Sequence, residues 1–130
     1  LSATNADQQA IANWVISEHE WLNNGQHTII VDPELEQLAQ AQAERMANDG
    51  RIYHQNLRSF LNVRTGWKAA GENVAAVSGC NPDGLWQAHY ALSFSPPHLA
   101  NIINPRFAAV GIGTACSDGI LYVAEVFAGL

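Results

Sequence analysis

At 130 residues the chain is the size of one domain, 1–130, and is long enough to bury roughly two-thirds of the surface that its unfolded form exposes. Six basic against twelve acidic residues give a net charge of -6, which argues against nucleic acid or an anionic membrane as partner, because both need clustered Lys and Arg. No apolar run approaches the roughly 20 residues that span a bilayer, and there is no basic start or signal-like apolar region. A first residue of Leu1 instead of Met suits a processed or trimmed chain. Two cysteines, Cys80 and Cys116, are too few for a disulfide-rich scaffold or a four-thiolate zinc site. They either pair in an oxidising compartment or are separate thiols.

In chain order, Asn5 or Asp7 suits the cap of a helix whose Ile11, Trp14, Val15, Trp21 and Leu22 form one apolar stripe, ending near Asn23-Asn24-Gly25. Within it Glu18-His19-Glu20 reads as a solvated face, since neighbouring helical residues point apart and a His-Glu-x-x-His pattern fails at Asn23. Thr28 to Val31 is read as extended. Asp32-Pro33 caps and opens a second helix with Leu35, Leu38, Ala39, Ala43 and Met46 inward, its Gln and Glu residues toward water, and its end at Asp49-Gly50. Leu57 to Leu61 forms a helical turn. The block Ser78 to Gly84 is turn chemistry, and Leu85 to Leu92 is a helix bearing Trp86, His89 and Tyr90. Pro97 fits the first turn of a short helix holding His98, stopped by Asn104-Pro105. Phe107 to Ala115 and Ile120 to Phe127, joined by Cys116-Ser117-Asp118-Gly119, form a hairpin. Helices early and strands late predict an α+β fold, an antiparallel sheet covered by helices on both faces.

Three residues draw chemical interest. His54 lies in a connection after the second helix, among aromatic and amide neighbours. Glu72 sits between Gly71 and an apolar run, where a carboxylate is costly unless paired, although an exposed turn glutamate gives the same pattern. His98 stands at a short helix leading into an apolar strand, and a half-buried structural histidine accounts for that equally well.

His54, Gly71-Glu72-Asn73-Val74-Ala75, Ser95-Pro96-Pro97-His98-Leu99-Ala100-Asn101-Ile102, Val110-Gly111-Ile112-Gly113 and Tyr122 to Phe127 occur in an order that resembles the CAP superfamily. This superfamily takes in cysteine-rich secretory proteins, antigen 5 and plant pathogenesis-related-one proteins, and its bacterial SCP-like branch is the nearest in pattern. The resemblance implies a secreted or cell-envelope three-layer α-β-α sandwich with a central, mainly antiparallel sheet. It also implies a cleft of two histidines and two acids that holds a divalent metal in some members. His54, Glu72 and His98 match three of those positions. The fourth, an acid after the tryptophan, has no counterpart after Trp86, leaving His89 or Asp83 as substitutes.

Two imidazoles and a carboxylate suit zinc or a similar metal, held with modest affinity because one group is missing. A metal-dependent, peptidase-like hydrolase would further need a free base, for which only Glu125 is at hand, its facing unknown. A serine hydrolase built on Ser95 and His98 lacks a Gly-x-Ser-x-Gly elbow. Neither cysteine is marked as a catalytic thiol, so a Cys80–Cys116 disulfide is expected, tying the loop before the Trp86 helix to the late hairpin. The favoured reading is an extracellular binding or interaction module for metal, a small apolar (lipid- or sterol-like) ligand or a protein partner, with an export signal expected upstream of Leu1.

Overall fold

Side-chain alternation along the two long C-terminal strands builds a core on both sides of one sheet. The computed structural model describes residues 5–63 and 66–130. Its elements are α1 (Asn5–Leu22), β1 (Ile30–Val31), α2 (Pro33–Asp49), α3 (Leu57–Asn62), β2 (Ala69–Ser78), α4 (Pro82–Ser93), α5 (Pro96–Ile103), β3 (Phe107–Ser117) and β4 (Ile120–Gly129). The four-stranded sheet runs β1-β3-β4-β2, which leaves β2 at an edge. Short β1 is parallel to β3, and the other pairs are antiparallel. Leu121, Val123 and Phe127 of β4 join a core with α1, α4 and α5, whereas Tyr122, Ala124, Val126 and Ala128 join one with α2. The α+β class and the three-layer α-β-α sandwich follow the sequence expectation.

Asp32 caps α2 as its position predicts, its Oδ1 accepting from the backbone N–H of Glu34 and Leu35, and Gly50 ends the helix at φ 70°. The helix then lies against β3 with almost no space between the backbones. A Cβ added to Gly111 would stand 2.1 Å from the Leu35 carbonyl carbon, and one on Gly113 2.2 Å from that of Ala39. The alanines at 39 and 43 on the facing side of α2 are fully buried at this contact.

Some sequence expectations fail for a common reason, that polar residues can occupy buried positions when their bonds are satisfied. The inward stripe of α1 runs Ile11, Val15, His19, each wholly buried, and not on to Trp21, which is 80% exposed, or Leu22. Glu18-His19-Glu20 is therefore no solvated face: His19 donates from Nδ1 to the Ile102 carbonyl at 2.7 Å, and its Nε2 meets His27 Nδ1 at 2.6 Å. Gln42 is likewise buried on α2, its Nε2 donating to the Tyr53 carbonyl and its Oε1 accepting from Arg45. α1 opens at Asn5 with Asp7 in its first turn; the capping position before it lies outside the described residues. The hairpin turn is tighter than expected, with only Asp118 and Gly119 between the strands, both at positive φ.

Cys80 and Cys116 form the expected disulfide, with Cα atoms 6.0 Å apart and a sequence separation of 36, fixing the start of α4 to the end of β3. On the loop-entropy model a closure of this length contributes roughly 3–4 kcal/mol. Reduction should lower the denaturation midpoint accordingly, measured by urea titration with and without dithiothreitol and with thiol alkylation to verify cleavage. Gly113→Ala should destabilise by about 2 kcal/mol or more, because its methyl meets rigid helix backbone and not a side chain that can move aside. The same titration checks this, with Ala108→Gly as a control away from the α2 contact.

Candidate functional site

Three segments meet at the edge strand. The loop after α2 carries His54, β2 carries Glu72, and α5 carries His98. Gln42 fixes the first of these by holding the Tyr53 carbonyl, one residue before His54. Glu72 is 8% exposed and fully engaged. Its Oε1 accepts from His54 Nδ1 at 2.8 Å and from the Gln55 backbone N–H at 3.1 Å, and its Oε2 accepts from Gln55 Nε2 at 2.7 Å. The exposed-turn reading of Glu72 is thus replaced by a buried, hydrogen-bonded carboxylate. A carboxylate held by three donors holds its imidazole in return, so the His54 Nδ1–H points at Glu72 and Nε2 takes no part in that contact.

His98 occupies the first turn of α5 and is half-buried. Ser95 stands at the capping position of that helix yet makes no side-chain cap bond. Its Oγ lies instead 2.8 Å from His98 Nδ1, which again leaves an Nε2. Burial holds the His98 imidazole below its ordinary pKa, and the neighbouring His54 pushes in the same direction. Among the described residues no carboxylate contacts His98, and no three His, Cys, Asp or Glu side chains converge as a ready metal cage.

What seats α5 on the sheet is a run of amides that composition alone does not mark. Asn73 follows Glu72 and so points to the opposite face, toward α5. Its Nδ2 donates to the His98 carbonyl at 3.0 Å and to Glu125 Oε1 at 3.1 Å, and its Oδ1 accepts from Asn101 Nδ2 at 2.9 Å. Asn101 also reaches the Glu72 carbonyl at 3.3 Å. Glu125 is therefore wholly buried behind Asn73 and is no base facing the cleft. Neither candidate for the missing fourth group joins the cleft either. His89 is packed against Trp14 and Trp86 with Nε2 3.6 Å from Glu18, and Asp83 is exposed on the first turn of α4.

Glu125 ties this network to pH. Burial raises its pKa from 4.5 to about 7, against the Asn73 hydrogen bond and with help from Glu18, and its Oε2 has no hydrogen-bond partner. A carboxyl whose folded pKa is raised stabilises the fold fully at low pH and ceases to do so as pH rises through the folded value. Between about pH 6 and about pH 8.5 the wild type should therefore lose about 1–2 kcal/mol relative to Glu125→Gln, read from paired urea titrations. Equal pH slopes for the two proteins would contradict this.

In comparison with known proteins, residues 22–128 match the model of the CAP, cysteine-rich secretory protein family. No curated protein matches the sequence. Among solved structures, an outer surface protein from Borrelia burgdorferi superposes with a TM-score of 0.80 at 19% identity, covering 99% of this chain and 97% of that one. An extracellular protein containing an SCP domain from Bacillus anthracis gives 0.75 at 20% identity, over 97% of this chain and 41% of that one. NaASP2, solved with Zn2+, gives 0.69 at 17% identity, over 95% and 80%. These likenesses establish a shared fold, and the match to the family model across most of its length makes this chain a member of the CAP family.

Proposed function

We propose that the domain is an extracellular binding module whose cleft takes up a divalent, zinc-like metal ion through the imidazoles of His54 and His98, with Glu72 orienting His54. The observation that carries this reading is the His54–Glu72–Gln55 assembly. A buried carboxylate fixed by three donors holds the imidazole by Nδ1 and leaves Nε2 out of that contact, the arrangement by which proteins set a metal-binding histidine. Ser95 leaves His98 Nε2 similarly placed. The donor set is therefore chemically suited to a borderline metal. When bound, such an ion supplies positive charge and open coordination positions for an anionic or carbonyl group of a partner. NaASP2, of the same fold, was solved with Zn2+, which supports extending the idea to this chain.

An oxidising location suits the disulfide, no helix among the described residues is long and apolar enough to cross a membrane, and two similar structures are described as an outer surface and an extracellular protein. Binding is favoured over hydrolysis because the carboxylate at the cleft has both oxygens engaged and Glu125 faces the other side.

Calorimetric titration with zinc near neutral pH should give one modest site in the wild type, lost in His54→Ala and in His98→Ala. It should be weakened roughly tenfold or more in Glu72→Gln, which removes the orienting charge and keeps both imidazoles. Identical binding by all four proteins, or none by the wild type at millimolar zinc, would sink the proposal. Zinc-dependent peptide turnover abolished in Glu72→Gln would replace it with the hydrolase.

A further inference from the structure

On the far side of α5 from the histidine cleft, a pocket of about 500 Å3 opens between α1, α4 and α5. Its walls are apolar, among them Leu22, Phe94, Leu99 and Ile103, but Glu18 and Ser93 also line it. The Glu18 side chain is 26% exposed and is held in position: Ser93 Oγ donates to its Oε1 at 2.7 Å, and His89 Nε2 is 3.6 Å away. A carboxylate among apolar walls normally has a cation beside it. Among the described residues no Lys or Arg pairs with Glu18. α1, α4 and α5 contain no Lys or Arg, and Arg106, which follows α5, is turned to the Leu130 carbonyl. His89 does not fill the part, because burial lowers its pKa despite the attraction of Glu18. Behind the pocket lies a second acid, Glu125, whose titration is raised in part by the charge of Glu18.

We propose that this pocket binds an organic cation with an apolar body, an alkyl- or arylammonium. The ammonium group pairs with Glu18 and donates to the Ser93 hydroxyl oxygen, and the apolar part lies along Leu22, Phe94, Leu99 and Ile103. Charge complementarity selects this ligand over a fatty acid, whose carboxylate would meet Glu18 with no cation between them. The pocket mouth adds a further attraction for a cation, since the exposed ring of Phe94 stacks on Tyr90 with centroids 4.4 Å apart. The proposal is independent of metal binding at His54 and His98.

Three probes of one length separate the possibilities: octylammonium, octanol and octanoate, titrated into isotopically labelled protein below their micelle concentrations and followed by backbone amide shifts. The expected order is octylammonium tightest, then octanol, with octanoate weakest, and shifts confined to residues near 18–22 and 93–103. Glu18→Gln should cost octylammonium roughly tenfold in affinity, as loss of a charge-assisted contact implies, and should leave octanol unchanged. Ala100→Phe, which fills the pocket from an exposed lining position without touching the Glu18 contacts, should abolish both. The doubly substituted His54→Ala/His98→Ala protein should bind octylammonium as the wild type does. Octanoate binding as well as octylammonium, insensitivity to Glu18→Gln in a protein that remains folded by its amide spectrum, or no binding of any probe would each overturn the proposal.

Discussion

Asn73 decides where the cleft can be. It is wholly buried on an edge strand, and its amide joins three elements at once, reaching the His98 carbonyl in α5, Asn101 farther along that helix and Glu125 in β4. An edge strand has neighbours on only one side, so a helix packed over it needs side-chain bonds to set its position. Replacing this amide by an apolar residue would leave the Glu125 oxygen it now serves without a donor in the interior, beside one already without a partner. Adjacent residues of β2 face opposite ways, Glu72 holding the loop of His54 and Asn73 holding the helix of His98.

The two faces of the sheet solve their packing differently. Against α2 the contact at Gly111 and Gly113 is backbone to backbone, made possible by those glycines and by small alanines, and the polar groups on that face, Gln42 and Glu72, lie away from it. Against α1, α4 and α5 the contact is made by side chains, Ile11, Val15, Leu85 and Ile102 among them, and a pocket opens between these helices. Close packing on one face gives the sheet a firm base, and interhelical gaps on the other receive His19, His89 and Glu125.

What could be read from the sequence followed from local rules. Asp32-Pro33 and Gly50 mark the ends of α2 because capping and positive φ depend on neighbouring residues alone. The strands flanking Asp118-Gly119 are equally local, and their long apolar runs show that both faces are covered. His54, Glu72 and His98 stood out through their resemblance to a known pattern, and their roles depend on contacts 18 and 3 residues away along the chain, between His54 and Glu72 and between Ser95 and His98. Gln42, Asn73 and Asn101 were not singled out because an amide is as common at the surface as inside, and its value here lies in the partner it meets. The α1 stripe misled for the same reason: its third buried position is a histidine, and counting only apolar residues carried the stripe past it to exposed Trp21.

The distribution of charge separates the chemistry of the two helical layers. Five of the six Lys and Arg residues fall in the sequence between Arg45 and Lys68, and the sixth is Arg106. The helices α1, α4 and α5 carry acids and imidazoles but no Lys or Arg, and burial lowers the pKa of His19, His89 and His98. A carboxylate in this fold has two ways to persist. Where it is pinned by three donors, as Glu72 is at the cleft, its charge is answered by N–H dipoles and it serves to aim a histidine. Where its contacts are fewer, as at Glu18, the charge remains partly unanswered and is felt by Glu125 behind it and by whatever enters from solvent. Two carboxylates in one small domain thus acquire different work from the number of donors around them, and the cleft and the pocket differ in the ligands they suit for that reason.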